Sequence, residues 1–148
     1  MSTRDIVVEN VLPHAPEVIW KTLTSSELIS RWLMPNDFQP VVGHRFTFKT
    51  RPSGDWDGVV QCQVLEAEPN RRLVYSWTGG GGSMPAQLDS VVTWTLEPAA
   101  GGTRVKMVHA GFKTPDNDMA HDAMSPGWGR ILEGVGRIAE EISQASHA

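Results

Sequence analysis

The sequence predicts an α+β protein: an antiparallel sheet covered by a long C-terminal helix, with two short helices after the first strand. Three observations predict it. From Gly43 onward, apolar side chains recur at every second position through successive segments, the period of half-buried strands. Trp128, Ile131, Leu132, Val135, Ile138, Ala139 and Ile142 instead recur at every third or fourth position, the stripe of a helix that lies on a sheet. Between the first apolar run and Gly43 the spacing is also helical, and prolines bound it at Pro16 and Pro35.

Ile6 to Leu12 reads as the first strand. Pro16 then suits a first helical position, Glu17 complements the helix dipole, and Ile19, Trp20 and Leu23 share one side. Ser25-Ser26-Glu27 restarts a second short helix through Leu28, Ile29, Trp32 and Leu33, stopped by Pro35. Phe46 and Phe48 open the alternating segments, and Val60, Cys62 and Val64 follow the turn Pro52-Ser53-Gly54-Asp55. Leu73, Tyr75 and Trp77 come after Pro69-Asn70; Val92, Trp94 and Leu96 after a glycine-rich stretch; Val105, Met107 and His109 after Ala100-Gly101-Gly102. The result is a meander of about five antiparallel strands with one buried face. For the last helix, Ser125 is the expected cap and Pro126 the expected first position. Gly127, Gly129, Gly134 and Gly136 each cost a helix about 1 kcal/mol relative to alanine, so close backbone approach or bending is expected there.

Length and composition limit the function. The chain of 148 residues is expected to form a single domain, 1–148, with one good core. A formal charge of −4, and no basic run beyond Arg71-Arg72, argue against nucleic acid as a partner. No apolar run approaches the roughly 20 residues that span a bilayer, and the N-terminal segment carries charges where a signal peptide needs an apolar core. The expectation is a cytoplasmic protein with no membrane partner. The lone Cys62 cannot anchor a cysteine-based zinc site, and the histidines lack ligand spacing, so neither metal nor cofactor is expected.

The alternation turns Phe46, Phe48, Val60, Cys62, Tyr75, Trp77, Val92, Trp94, Met107 and His109 inward, facing Trp128, Ile131, Leu132 and Val135. Such a set either fills a core or lines a hydrophobic pocket whose polar handles are Tyr75, His109 and indole nitrogens. As a pocket, its candidate ligand-binding residues are Phe46, Phe48, Tyr75, Trp77, Trp94, Met107, His109, Trp128, Ile131 and Leu132. Trp32, Trp56 and Phe112 join them from helix-end or loop positions. His109, on an apolar strand face, is expected to be satisfied by loop or helix backbone, with proton transfer as the sharper alternative. His121 is expected at the surface or as a local cap beside Asp118 and Asp122. Glu66, Glu68, Asp55, Asp57 and Asp89 fall at strand ends or turns, and no inward acid pair emerges. Cys62 reads as an inert core thiol, and Gly79 to Gly82 as a hairpin or lid rather than a phosphate loop. No catalytic residue is assigned.

Several segments, in order, resemble one family. APEVIWKTLTSSELISRW resembles its opening helix pair; GHRFTFKT, VVQCQVLEAEPNRRLVYSW and SVVTWTLEPAAGGTRVKMVHAGF resemble its successive strands. The most specific trait is HAGF at His109 to Phe112, followed by His121 and by GWG at Gly127, Trp128 and Gly129. On these segments the chain resembles the START-like (SRPBCC) superfamily, and within it the bacterial proteins similar to activator of heat-shock-protein-90 ATPase homologue. The resemblance implies a helix-grip fold, a curved antiparallel sheet wrapped around the C-terminal helix, often with a cavity for a hydrophobic or amphipathic ligand between them. It implies two other functions besides ligand binding. One is a co-chaperone-like module for a heat-shock protein 90 homologue. The other is a small cyclase or hydrolase of polyketide-like substrates, for which His109 with Tyr75 is the pair to nominate. A homodimer stays open. Pro126 departs from the continuous helix that relatives often carry before GWG, and is expected to start or kink the helix there.

Overall fold

A computed structural model describes residues 3–50, 58–79, 88–114 and 116–146. Strand β1 (Thr3–Leu12) leads into helices α1 (Pro16–Thr24) and α2 (Ser26–Trp32). Strands β2 (Arg45–Lys49), β3 (Val59–Glu68), β4 (Arg72–Gly79), β5 (Leu88–Ala99) and β6 (Gly102–Lys113) follow, and then helix α3 (Asp118–Ser146). The strands form one antiparallel sheet in the order β1-β6-β5-β4-β3-β2. The alternating segments are therefore spatial neighbours in chain order, while β1 joins the far edge with Thr3 opposite Lys113 and Leu12 opposite Thr103. The sheet curves around α3 with α1 and α2 alongside, a helix-grip fold.

The short helices form as their residues require. Pro16 occupies the first turn of α1, where its missing N–H is no loss. Ser25 ends α1 with its backbone N–H on the Lys21 carbonyl, and its hydroxyl accepts from the Leu28 N–H to start α2. The Trp32 indole then donates to the Thr22 carbonyl at 2.9 Å, locking α2 against α1. An Arg31–Glu141 ion pair ties α2 to α3 at the surface.

Two bulges set which side chains turn inward. Strict alternation carries Val105, Met107 and His109 to the core, and would send Phe112 outward. Gly111, at φ +106°, is the extra residue of a bulge: opposite it the register passes from Arg4–Phe112 to Asp5–Ala110. Phe112 therefore returns to the inner face, its ring 4.6 Å from that of His109. A second irregularity, between Val64 and Glu66 on β3, makes Leu65 the extra residue, so that beyond it Ala67 rather than Glu66 comes opposite the buried Leu73.

Helix α3 corrects one expectation. It begins at Asp118 and Pro126 lies inside it, so Ser125 is not its cap. Its start is prepared by the preceding turn, where the Asn117 side chain accepts from the Lys113 N–H and the Asn117 carbonyl accepts from the His121 N–H. Proline is tolerated in the interior because it and Asp122, the residue whose carbonyl goes unpaired, are both exposed to water. The glycines divide into two kinds. A Cβ at Gly134 would meet the Trp32 side chain at 3.5 Å and one at Gly136 would meet Leu12 at 3.2 Å, so the later pair lets α3 lie close to α2 and β1. A Cβ at Gly127 or Gly129 would meet nothing within 4 Å.

Candidate functional site

The inner face of the sheet and α3 meet around His109. Trp128, two residues past Pro126, donates its indole N–H to His109 Nδ1 at 3.1 Å. An indole nitrogen can only donate, so Nδ1 is the lone-pair nitrogen and the imidazole proton sits on Nε2. Nε2 lies 2.7 Å from Ser90 Oγ and donates to it. The Ser90 hydroxyl donates in turn to the Trp77 carbonyl at 2.9 Å. Every polar atom of the imidazole is thereby satisfied, and by side chains rather than the backbone expected from sequence. Burial, with the nearby His121 adding to it, pushes the His109 imidazole down to about 3, so it is neutral throughout the physiological range.

This polarity bears on chemistry. A serine hydroxyl 2.7 Å from an imidazole is the spacing of a nucleophile and its base. A base, however, needs its lone pair toward the serine, and here that nitrogen carries the proton while the lone pair faces Trp128. Ser90 and His109 are also fully enclosed. Tyr75, the other half of the nominated pair, is buried against Phe38, Phe46 and Phe48, and its hydroxyl accepts from the Trp94 indole at 3.1 Å. Burial raises the Tyr75 hydroxyl above its ordinary value, the hydrogen bond from Trp94 opposing. Desolvation likewise raises the Cys62 thiol, with Asp37 adding to it, which keeps the thiol protonated.

Beside this network an apolar cleft opens to solvent, with a volume of about 170 Å³. Trp77 and Trp128 form one side; Leu33 and Met34 from the end of α2, and Met124, Gly127 and Ile131 from α3, complete it. The open space over Gly127 is part of this cleft: the residue's missing side chain leaves it unfilled. A larger groove, of about 590 Å³, lies between the start of α1 and the turn joining β3 to β4. Its arginines are already engaged at 2.9 Å, Arg71 with Glu68 and Arg72 with Glu66.

The residues nominated from sequence separate accordingly. Trp77, Trp128 and Ile131 line the cleft. Trp32, Phe46, Phe48, Tyr75, Trp94, Met107, His109, Phe112 and Leu132 are packed in the core around it. Trp56 lies outside the described residues, as do residues 80–82 of the glycine-rich stretch. Leu33, Met34 and Met124 were not foreseen; they sit at a helix end and in the first turns of α3, where no alternation marks them. Ser90 was also missed, though it falls in step with Val92 and Trp94 on β5, which is the signal that could have found it.

His121 is a second correction. It is buried, 8 % exposed, with its ring edge-on to Phe112 at 5.3 Å. Its Nε2 sits 3.1 Å from the Asp5 carbonyl and its Nδ1 3.2 Å from the Asp122 carboxylate. Arg4 reaches Asp118 and Asp122 at 3.2 and 3.3 Å, so the first turns of α3 are fastened to β1. The hydrogen bond from Thr114 and the Arg4 guanidinium hold the Asp118 carboxyl below its ordinary value. The bulge at Gly111 makes this seam: by turning Phe112 inward it gives His121 a ring to pack on.

Comparison with known proteins places these features. A family model described as Activator of Hsp90 ATPase homolog 1-like protein matches residues 13–140. The crystal structure of protein MLL2253 from Mesorhizobium loti is 41 % identical, covers 93 % of this chain and 98 % of its own, and superposes with a TM-score of 0.83. Two more distant structures share the fold. The Bacillus halodurans protein BH1534 is 24 % identical over 94 % of this chain and 99 % of its own, with a TM-score of 0.75. The Aha1 dimer from Colwellia psychrerythraea is 20 % identical over 90 % of this chain and 93 % of its own, with a TM-score of 0.71. Among curated proteins none matches the chain.

Proposed function

The chain belongs to the Activator of Hsp90 ATPase homolog 1-like family, within the START-like superfamily, and from that premise we propose that it binds a small, uncharged, largely apolar molecule in the cleft between α2 and α3. The observation that carries this reading is the cleft itself: about 170 Å³ walled by two tryptophans, two methionines, a leucine and an isoleucine, with Gly127 leaving its floor open. Its size is near that of an apolar cavity of roughly 150 Å³ that takes up benzene, and below the roughly 300–1,000 Å³ of sites for drug-sized ligands. A single ring or short branched chain fits, with any larger part of the molecule left at the mouth. Burying such a group contributes about 25 cal/mol per Å² of apolar surface, and the thioethers of Met34 and Met124 adapt to its outline.

Binding rather than turnover follows from what surrounds the cleft. Among the described residues, none of the side chains lining it titrates. The nearest imidazole, His109, has its lone pair occupied by Trp128 and its proton on Ser90. Among the described residues, a reaction needing general acid–base help has no group to call on at this cleft.

The test is a titration of the intact protein with indane, followed by quenching of tryptophan fluorescence and by amide and indole NMR shifts. Saturable binding that shifts the Trp77 and Trp128 indole signals is expected, and Gly127→Leu, which fills the cleft, should abolish it. No saturable shift up to the solubility limit of indane, or binding untouched by Gly127→Leu, would sink the proposal.

A further inference from the structure

The surface of the cleft is supplied unevenly. Trp77 and Trp128 stand in its walls yet are only 4 % and 2 % exposed, so a visiting molecule meets chiefly the half-buried side chains of Leu33, Met34, Met124 and Ile131. Two of these are methionines, and they come from different elements: Met34 follows the end of α2, and Met124 lies in α3. The Met34 carbonyl accepts from the Asn36 side-chain amide at 2.9 Å, which keeps this stretch of chain beside the cleft. Met107, by contrast, is fully buried in the core. A thioether is apolar but easily oxidised, and its sulfoxide is polar. The side chain that usually takes up an oxidant first is disarmed here. Cys62, the single cysteine of the chain, is buried, and desolvation holds its thiol in the unreactive protonated form. Hydrogen peroxide is little larger than water, and a cleft of about 170 Å³ open to solvent admits it.

We infer that Met34 and Met124 are sites of reversible oxidation by hydrogen peroxide, and that their sulfoxides switch the cleft off as an apolar binding site. The inference rests on the cleft being a binding site and adds the regulation of that site. The thioether sulfur of each methionine attacks one peroxide oxygen. An S–O bond forms as the O–O bond breaks; sulfur gives up two electrons, and the other oxygen leaves as water with both peroxide hydrogens. The sulfoxide oxygen is an acceptor, and among the described residues the apolar lining of the cleft offers it no donor. Left in the cleft, it stands unpaired among apolar walls; turned to the water, it takes the end of the side chain out of the wall. Either way the two methionines no longer close around an apolar ring. A dithiol acting through a reductase reverses the change: it supplies two electrons and two protons, the oxygen leaves as water and the thioether returns.

The experiment treats the intact protein with hydrogen peroxide in steps and follows each methionine by peptide mass spectrometry. Indane is titrated before treatment, after it, and after reduction by methionine sulfoxide reductases of both stereospecificities with a dithiol. Met34 and Met124 should each gain one oxygen at least about tenfold faster than Met107, whose staying reduced reports that the core is still closed. Affinity for indane should fall at least about tenfold, as for one buried polar group left unpaired, and return on reduction. The double variant Met34→Leu, Met124→Leu cannot form the sulfoxides, so peroxide should move its affinity by less than about twofold from whatever value it starts at. Met124→Gln puts a carbonyl where the sulfoxide would stand, and should weaken indane binding with no oxidant present. Met34 and Met124 oxidised no faster than Met107, an affinity that survives their full conversion, or an equal loss in the double variant would overturn the inference while leaving the cleft as a binding site. If the untreated protein does not bind indane, both readings fall together.

Discussion

Replacing His109 by glutamine should remove much of the protein's sensitivity to mild acid. The unfolded chain holds this imidazole at its ordinary 6.5, the folded chain at about 3. Between those values the unfolded state carries a proton that the native state excludes, so stability rises with pH across the window and is lost as the pH falls through it. One proton corresponds to about 1.4 kcal/mol per pH unit, and going from pH 6.5 to pH 4 should therefore cost about 3 kcal/mol. That is a large share of the roughly 5–15 kcal/mol that holds a domain together. Glutamine can accept from Trp128 and donate to Ser90, keeping both hydrogen bonds without a titrating group. The assay is urea unfolding of wild type and His109→Gln at unit steps from pH 4 to pH 7. The comparison is between the slopes of the two curves, whatever midpoint the glutamine variant starts from. Wild type should lose stability steadily below pH 6.5, and the variant should be flatter by close to the calculated amount. Asp118, whose carboxyl is held below its ordinary 3.8, acts at lower pH and leaves this window clear. Parallel curves for the two proteins would refute the reasoning, because the acid-sensitive group would then be another.

Two substitutions test the packing directly. A Cβ at Gly102 would stand 1.9 Å from the Leu12 carbonyl oxygen, a backbone atom that cannot yield, so Gly102→Ala should separate the ends of β1 and β6 and cost more than about 3 kcal/mol by thermal or urea unfolding. Gly127→Ala should do the reverse: its Cβ meets nothing within 4 Å and it lies in a helix interior, so a gain of about 0.5–1 kcal/mol is expected.

The fold was legible because its signals are local and repeated. Phe46 and Phe48, Val60 and Cys62, Tyr75 and Trp77, and Met107 with His109 sit on the inner face where a two-residue period puts them. Phe112 was nominated only from a supposed loop position, although it lies on β6, since a bulge resets the period between it and His109 and bulges leave little trace beyond a glycine. Pro126 misled for a physical reason: a proline that starts a helix and one tolerated on an exposed helix face look alike until Asp122 is seen in water. The asparagine and aspartate just upstream, Asn117 and Asp118, were the better start signal. His121 looked external because its neighbours Asp118 and Asp122 are charged, yet Arg4 pairs with both at the surface while the His121 ring, about 100° round the helix from Asp122, turns onto Phe112. The candidate site was legible only in its walls. Its opening depends on what Gly127 lacks and on where Leu33, Met34 and Met124 end up, and those are products of tertiary placement.

The pairing of β1 with β6 also dictates an order of assembly. Strands β2 to β6 each find a partner in the adjoining segment and can zip up as they emerge from the ribosome. Strand β1 cannot: it appears first, yet its hydrogen-bonding edge waits until Thr103 to Lys113 exist to receive it. Closing such a long loop is entropically slow, and a waiting strand is a template for wrong partners. The alternation of Asp5, Val7, Glu9 and Val11 on its outer face places a charge between the exposed valines, and the Asn10 side chain covers the Val11 N–H at 2.9 Å. Both features make the first-born strand a poor surface for a second chain to join.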